Sequence, residues 1–189
     1  GLWEQGAKPA DIIGVTLTTQ RGTVVAVDQD GMALRSAITW LDQRESLHPP
    51  SLPMHWQAIF RALGATDTIN QFLRKAEINW IAQNEPQVSG KMHKCLLLSG
   101  YLTHRLTGQF RDAVAAQVGY IPFDFRHQAW ARSWDWKWHA LRVSRDQLPD
   151  LVPAGGILGH ITAVTSAETG IPEGLPLLSA GADKACEVL

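Results

Sequence analysis

The sequence predicts an α/β domain with a mixed β-sheet and flanking helices. Three observations support this prediction. The first 40 residues contain runs of β-branched residues separated by turn signals, the middle of the chain shows helical periodicity, and residues 156–183 alternate strand, helix and strand signals. Strands that alternate with helices in this way are typical of layered α/β folds.

Two stretches near the start predict β-structure. DIIGVTLTTQ (11–20) is rich in β-branched residues and predicts a buried strand. TVVAVDQDGMALRSAITW (23–40) predicts two further β runs, because the Asp30-Gly31 pair between them is a strong hairpin signal. We therefore expect three consecutive strands that are at least partly antiparallel, followed by a proline-rich break at HPPSLP (48–53).

The next segment predicts two helices. Residues 56, 59, 60 and 63 are apolar and share one helical face, and Gly64 ends that helix. INQFLRKAEINWIAQNEP (69–86) predicts a second, longer helix, which Pro86 stops.

The remaining elements follow from similar signals. A helix is expected at 99–106, ended by Gly108, and DAVAAQVG (112–119) is interpreted as another helical piece. GILGHITAV (156–164) predicts a strand. After it, TSAETG predicts a short helix that Gly170 ends. IPEGLPLLSAGAD then predicts a turn, a strand and a closing corner. We interpret this end of the chain as βαβ-like.

The composition is that of a globular chain, with 45% hydrophobic and 19% charged residues. The formal net charge of −1 predicts no nucleic-acid partner and no anionic membrane surface. The apolar runs are much shorter than a membrane span, and residues 1–10 do not resemble a signal peptide. Cys95 and Cys186 have no metal-ligand spacing and are interpreted as buried thiols in a reducing compartment, so we expect a cytoplasmic protein.

Several common catalytic motifs are missing from the sequence. It contains no G-x-x-x-x-G-K-[ST] phosphate loop and no G-x-G-x-x-G after a strand. Its seven histidines show no metal-ligand spacing, and no nucleophile elbow surrounds Ser99 or Ser179. Metalloprotease and serine-hydrolase functions are therefore not expected.

Two predicted strand ends carry candidate ligand-binding residues. In TTQRGT (18–23), Gln20 and Arg21 offer donors suited to hydroxyls or carboxylates at the end of a buried strand. A simple surface ion pair for Arg21 is an equally good interpretation.

In ITWLDQR (38–44), the indole of Trp40 can pack on sugar C–H groups. The alternative is a core tryptophan beside a structural Asp42–Arg44 ion pair, which is the interpretation that we favour for the pair.

The third candidate is Asp183 in SAGADK (179–184). Small residues allow a ligand to approach the backbone closely, and amide N–H groups at a helix start keep a carboxylate ionised and oriented. Such a carboxylate can act as a general base, although a helix N-cap is the simplest role for an isolated Asp.

Tryptophan is abundant, with eight residues, four of them in WARSWDWKW (130–138). Spacings of four, two and two place these rings on different faces. We therefore expect them to serve packing rather than to form one flat sugar-binding platform.

Three stretches in this order resemble the FGGY family of carbohydrate kinases. They are GVTLTTQRGTVVAVDQDGMALRSAITWLDQR (14–44), with its W-x-D-x-R motif, KCLLLSGYLTHRLTGQFRDAVAAQVGY (94–120), with YL-x-x-RLTG, and residues 148–189, with TG-x-x-x-G-x-P and G-x-D. The resemblance covers nearly all of residues 11–189.

This resemblance implies a ribonuclease-H-like (actin-like ATPase) domain that takes part in transfer of the γ-phosphate of ATP, with Mg²⁺, to a hydroxyl of a sugar or polyol. By position, Asp183 matches the catalytic base, and Gln20 and Arg21 match the loop that binds substrate hydroxyls. Trp40 matches a pocket aromatic, as does Phe72, eight residues before Trp80. Family members that phosphorylate glycerol carry an acidic residue where this chain has Gly22, so glycerol is not expected as the substrate. Members that phosphorylate xylulose read QMH where this chain reads QRG, so xylulose is not expected either.

The resemblance also bears on domain organisation. The family begins with a strand and a D-x-G-T phosphate turn and continues, after the catalytic Asp, into an ATP-binding domain. Neither is found in residues 1–189. We therefore expect a partial N-terminal substrate-binding domain, incomplete at both ends, that is inactive alone, carries no cofactor or metal ligands of its own, and self-associates as a homo-oligomer. The alternatives are a non-catalytic sugar-binding or regulatory module on the same fold and a structural domain without a ligand.

Overall fold

Short strands that alternate with helices confirm the predicted α/β class. The computed structural model describes residues 3–6 and 8–183. Within that part of the chain the helices are α1 (Met54–Ala62), α2 (Thr66–Lys75), α3 (Glu77–Asn84), α4 (Pro86–Lys91), α5 (Leu98–Thr107), α6 (Lys137–Ala140) and α7 (Ala163–Thr169). The strands are β1 (Val15–Thr16), β2 (Val24–Val27), β3 (Lys94–Leu97), β4 (Arg111–Ala113), β5 (Phe123–Asp124), β6 (Ala129–Trp130), β7 (Asp150–Val152), β8 (Ile157–His160) and β9 (Pro176–Leu178).

The chain divides into two units. Unit 1 comprises Gly1–Gln20, Leu98–Ala116 and Pro149–Leu189, and unit 2 comprises Arg21–Leu97 and Gln117–Leu148. The first division falls between Gln20 and Arg21, so the two candidate residues of the TTQRGT segment belong to different units.

Unit 1 is built on a mixed three-stranded sheet in the order β1-β9-β8. β9 pairs in parallel with β1, with Val15 opposite Leu177, and antiparallel with β8. β4 and β7 form a separate parallel pair. Leu158, Ile161 and Leu177 are buried in the core of this unit. The prediction of a mixed sheet is therefore confirmed.

Two predictions for unit 1 are corrected. The buried strand expected over 11–20 is reduced to Val15–Thr16. This strand lies at the edge of its sheet, and the side chain of Ile13 just before it is 89% exposed, so the apolar run is not covered on both faces. The expected βαβ-like end is also wrong, because β8 and β9 are antiparallel.

Unit 2 contains the predicted hairpin. The Asp28 carboxylate accepts hydrogen bonds from the backbone N–H groups of Asp30 and Met32, at 3.0 and 2.9 Å. Gly31 takes a φ of 74°, a conformation that favours glycine. Because the Asp28 side chain holds the turn closed on its own loop, the Asp30-Gly31 signal correctly located this reversal.

The two arms of this hairpin differ in regularity. All four residues of β2 are buried, and β2 pairs antiparallel with β3. The returning arm meets β2 only through isolated bridges, at Ala33 and at Ile38. The segment that leads to Trp40 is therefore an irregular arm rather than a full strand.

The long helix predicted over 69–86 is two helices. Ala76 ends α2 and begins α3 with an extended ψ of 114°, and its side chain is fully buried. Buried Asn79 stabilises the break, because its amide donates to the carbonyls of Leu73 and Ala140 at 2.9 Å each. Pro86 follows the end of α3, as predicted, and also opens α4.

Other helix boundaries agree with the sequence signals. Gly64, Gly108 and Gly170 follow α1, α5 and α7 with φ values of 66°, 71° and 75°. The helical interpretation of 112–119 is wrong for its first half, since this segment enters β4 and then a single 3-10 turn, Val114–Ala116. The reason is tertiary pairing, because β4 bonds in parallel to β7.

The cysteine prediction is confirmed for Cys95, which is a buried free thiol in β3. Burial, together with the negative charge of Glu77, raises the pKa of this thiol to about 12. Cys186 lies outside the described residues. None of the helices described is both long and apolar enough to cross a bilayer.

Candidate functional site

Three segments of unit 2 converge at one place. A Cβ placed on Gly22 would lie 3.5 Å from the Cβ of Trp40, and a Cβ placed on Gly119 would lie 3.8 Å from the Cα of Gly22. Gly22 and Gly119 both have positive φ values, 68° and 147°. These two glycines bring the loop after Arg21, the Trp40 segment and the residue before Tyr120 close together.

Trp40 is not a core tryptophan. It is 57% exposed and lines a cavity of about 100 Å³ together with Tyr120. An exposed indole beside a phenol ring provides the flat apolar faces that pack on sugar C–H groups. The alternative of a core tryptophan is therefore wrong, and the ligand-binding interpretation of Trp40 stays a prediction.

Asp42 and Arg44 form the structural ion pair that the sequence predicts. The guanidinium donates from Nε to Oδ1 of Asp42 at 2.8 Å, and its Nη2 lies 2.7 Å from Oδ2. Hydrogen bonds from Arg44 hold the pKa of Asp42 below its ordinary value. The Arg44 guanidinium also lies over the Trp80 ring at 4.3 Å. Both charges are therefore already engaged within the protein, although both side chains line the same cavity.

Phe72 lies behind the cavity wall. Its ring contacts Tyr120 edge to face, with centroids 5.4 Å apart, and also contacts Trp136, with centroids 5.1 Å apart. Tyr120 itself lines the cavity, whereas Phe72 is not among the lining residues. Phe72 therefore supports a wall residue that the sequence interpretation did not identify.

Glu77 is a second wall residue missed in the sequence. It occupies the first turn of α3 and lines the cavity with Tyr120 and Gln43. Burial, with a smaller contribution from the charge of Asp42, raises the pKa of Glu77 to about 7. Burial and the nearby Glu77 likewise raise the pKa of Tyr120. No local motif marks either residue, because each becomes a wall residue only through tertiary packing.

Arg21 is half-buried at the start of unit 2. Within residues 3–6 and 8–183, no carboxylate forms an ion pair with it. The surface ion pair that the sequence left open is therefore not formed in the described part of the chain.

The remaining two candidates lie in unit 1. Gln20 is exposed at the end of the segment that begins with β1. Asp183 is half-buried, and its backbone N–H donates to the carbonyl oxygen of Thr19 at 3.2 Å. This bond places the backbone of Asp183 beside the residue that precedes Gln20. The residues after Asp183, with the expected helix start, lie outside the described residues.

The tryptophans of residues 130–138 have different partners. The Trp138 indole N–H donates to the carbonyls of Ala131 and Arg132, and Trp136 packs against Phe60 and Phe72. Trp134 is 65% exposed. The rings thus share no single flat surface, in agreement with the packing interpretation.

The described His, Cys, Asp and Glu side chains are dispersed. Across residues 3–6 and 8–183, no three His, Cys, Asp or Glu side chains come together in a metal-binding arrangement. We assign no metal ligand and no nucleotide ligand to the described side chains.

Comparison with known proteins identifies relatives among sugar kinases. The chain is 40% identical over 96 residues to the uncharacterized sugar kinase YgcE of Escherichia coli K12, covering 48% of this chain and 18% of that protein. It is 26% identical over 177 residues to the xylulose kinase of Bacillus subtilis, covering 93% of this chain and 34% of that protein. The chain thus spans about a third or less of the length of these curated relatives.

A solved structure confirms the fold. The crystal structure of xylulose kinase from Rhodospirillum rubrum matches 94% of this chain and 36% of its own, with a TM-score of 0.72 and 22% identity. The fold is therefore the actin-like ATPase fold of sugar kinases, as the resemblance implied. The model of the N-terminal domain of the FGGY family of carbohydrate kinases matches residues 2–189, nearly the whole sequence. The chain belongs to the FGGY family of carbohydrate kinases.

Proposed function

We propose that this chain forms the sugar-binding part of a kinase that transfers the γ-phosphate of ATP to a hydroxyl of a sugar or polyol. The observation that carries this proposal is a small cavity lined by exposed Trp40 and by Tyr120, with Gly22 of the loop after Arg21 packed close to Trp40. The cavity volume of about 100 Å³ suits one end of a short polyhydroxylated chain rather than a nucleotide.

Each proposed role follows from the chemistry of the side chain. Trp40 and Tyr120 pack against ligand C–H groups, and Phe72 holds Tyr120 in place through its edge-to-face contact. Gln20 and Arg21 supply donors for ligand hydroxyls, and Arg21 is available because no described carboxylate engages it.

Asp183 is proposed as the general base that accepts the proton of the attacking hydroxyl. Its backbone hydrogen bond to Thr19 fixes the main chain at this corner of unit 1. Phosphoryl transfer depends mainly on positioning and on electrostatic stabilisation, so the base is one contribution among several.

ATP and Mg²⁺ are the proposed cofactors of the whole enzyme. Mg²⁺ neutralises developing charge on the transferred phosphoryl group. The described side chains provide no cluster that fits it, so we derive no step through the metal. Because the chain spans about a third of the length of full kinases such as that of Bacillus subtilis, we propose that it binds sugar without phosphorylating it. An enzyme that draws on ATP is expected in the cytoplasm.

Self-association is also proposed. Met54, Leu63 and Ile13 are large apolar side chains that are 85%, 71% and 89% exposed. Such side chains favour association where they form a contiguous patch, and the edge strand β1 offers a site for pairing with a strand of another chain. Light scattering on the purified chain should give a mass above that of a monomer, whereas a monodisperse monomer would contradict this.

A thermal-shift panel tests the proposed function. Sugars and polyols of three to six carbons are titrated against the 189-residue chain, with nucleotides as a negative series. A ligand at 100 times its Kd stabilises the native state by roughly 2.7 kcal/mol, so the Tm should rise with concentration for at least one sugar. A panel in which no sugar or polyol raises the Tm would reject the proposal.

A further inference from the structure

Glu77 differs from the neighbouring carboxylates of unit 2. Asp42, Glu45 and Glu85 pair with Arg44, Arg74 and Arg35 respectively. In the described residues, by contrast, no basic side chain forms an ion pair with Glu77. Its own backbone N–H hydrogen-bonds the carboxyl group. A carboxyl group has about four lone-pair sites, so this one bond leaves hydrogen-bonding capacity for a ligand in the cavity.

The surroundings of Glu77 keep a substantial fraction of its carboxyl group uncharged near neutral pH, where an ordinary glutamate is fully ionised. Burial raises its pKa to about 7, and the fixed charge of Asp42 acts in the same direction. The other titratable groups at this cavity and behind it are Arg44, Lys75, Tyr120 and Cys95. Arg44 is held by Asp42, so its charge does not compensate Glu77.

An uncharged carboxyl group has a distinct binding chemistry. Its O–H donates one hydrogen bond and its carbonyl oxygen accepts another, which matches a ligand hydroxyl that accepts and donates in turn. Covering a neutral carboxyl group costs less desolvation than covering a carboxylate. When the ligand lacks that hydroxyl, the covered carboxyl group loses its hydrogen bonds to water without replacement, and this costs affinity.

We propose that Glu77 is a specificity-determining residue, which hydrogen-bonds one hydroxyl of the sugar or polyol and rejects the analogue in which that hydroxyl is replaced by hydrogen. This inference rests on the proposed function, because it assigns a role within the same sugar-binding cavity. Rejection of a deoxy analogue is an effective form of discrimination, since sites built to bind a hydroxyl leave buried polar groups unpaired when it is missing.

The test couples a protein change to a ligand change. L-fuculose, D-ribulose and ribitol are titrated by calorimetry into the 189-residue chain, and the tightest binder is compared with its monodeoxy analogues. In the wild type, one analogue should bind at least tenfold more weakly than its parent. In Glu77→Ala, that analogue and the parent should bind within about twofold of each other, because the variant has no carboxyl group that the analogue could leave without a hydrogen-bonding partner.

Two further variants complete the design. Glu77→Gln keeps a donor and an acceptor, so it should retain the discrimination and should fold even if Glu77→Ala does not. Glu85→Gln removes a carboxylate at the end of α3 that does not line the cavity, and its deoxy discrimination should equal that of the wild type.

The outcomes separate this inference from the proposed function. Suppose that sugars bind, but that the affinity of every analogue relative to its parent is the same in Glu77→Ala as in the wild type. The role of Glu77 is then overturned, and the proposed function stands. If Glu77→Gln binds the parent sugar but does not discriminate, the role is likewise overturned. If no sugar binds the wild type, both proposals are overturned.

Discussion

The rings of Phe72 and Tyr120 meet edge to face, with centroids 5.4 Å apart and planes inclined by 76°. Phe72 lies on α2, and Tyr120 lines the cavity that also contains Trp40. The contact joins a helix residue to a wall residue 48 positions further along the chain. It explains how Phe72 can influence a ligand without lining the cavity itself.

Replacing Phe72 with leucine should weaken ligand binding through Tyr120. Edge-to-face pairs contribute roughly 0.5–1.5 kcal/mol each, so losing the contacts to Tyr120 and Trp136 should lower the unfolding free energy by about 1–3 kcal/mol. We expect sugar affinity to fall by about threefold to tenfold, measured by calorimetry. Phe125→Leu removes a similar contact, to Phe123, from an exposed ring, and unchanged sugar binding is expected there. Equal sugar affinity in Phe72→Leu and wild type would show that Phe72 does not position Tyr120.

Replacing Trp40 with alanine should affect binding more than folding. Its side chain is 57% exposed, so the substitution should change the unfolding free energy by less than about 1 kcal/mol. Loss of the indole face should weaken sugar binding at least tenfold in the thermal-shift and calorimetric panels. Trp134→Ala is a matched control, because Trp134 is 65% exposed in the same unit and does not line the cavity. Equal losses in the two variants would argue against a specific role for Trp40.

The Glu77 carboxyl group should make stability depend on pH. Its folded-state pKa of about 7 exceeds the ordinary value of 4.5, so the folded chain retains a proton that the unfolded chain has released. Stability should therefore fall as pH rises from about 4.5 to about 7, and stay level above that range. The full shift corresponds to up to about 3 kcal/mol, less where solvent screens the charge.

Urea denaturation of Glu77→Gln measures this effect. The variant should match the wild type at pH 4.5 and exceed it at pH 8, because glutamine does not ionise. Glu85→Gln should not reproduce this pattern, since Glu85 is paired with Arg35. A difference between Glu77→Gln and wild type that is the same at both pH values would contradict the assigned ionisation.

Local sequence signals predicted the turns and the helix ends. Asp30-Gly31 located the hairpin because glycine accepts the positive φ that the turn needs. Gly108 and Gly170 located the ends of α5 and α7 for the same reason. The strand signal of residues 11–20 failed because the extent of pairing depends on neighbouring strands, and at the sheet edge only Val15–Thr16 pair.

The candidate site was predicted only in part, for a similar reason. Trp40 and Arg21 could be singled out from motifs beside strand ends. Tyr120 and Glu77 could not, because each reaches the cavity through contacts between segments distant in sequence. The break at Ala76 is also non-local, since Asn79 bonds to Ala140, which is 61 residues away.

Close packing around Gly159 should make that position intolerant of a side chain. A Cβ there would lie 2.6 Å from the Cβ of buried Thr107 on α5, which is closer than real Cβ contacts. We expect Gly159→Ala to destabilise the chain by about 1–3 kcal/mol in urea melts. Gly90→Ala is the control. It lies in α4 with no atom within 4 Å of the added Cβ, so it should stabilise the chain by about 0.4–1 kcal/mol. If both substitutions have the same sign, the packing argument fails.

Replacing Asp183 with asparagine tests the proposed general base, in a protein that carries this sequence together with an ATP-binding domain. The amide keeps the size of the side chain and the backbone bond to Thr19 but cannot accept the proton. We expect kcat to fall by about 10²–10⁴-fold in a coupled ADP-release assay, with the sugar Kd within about threefold of wild type. Asp30→Asn, in the exposed hairpin turn, should keep full activity.

An unchanged kcat in Asp183→Asn would show that Asp183 is not the general base. Sugar binding without turnover in the wild type would favour a non-catalytic sugar-binding module instead.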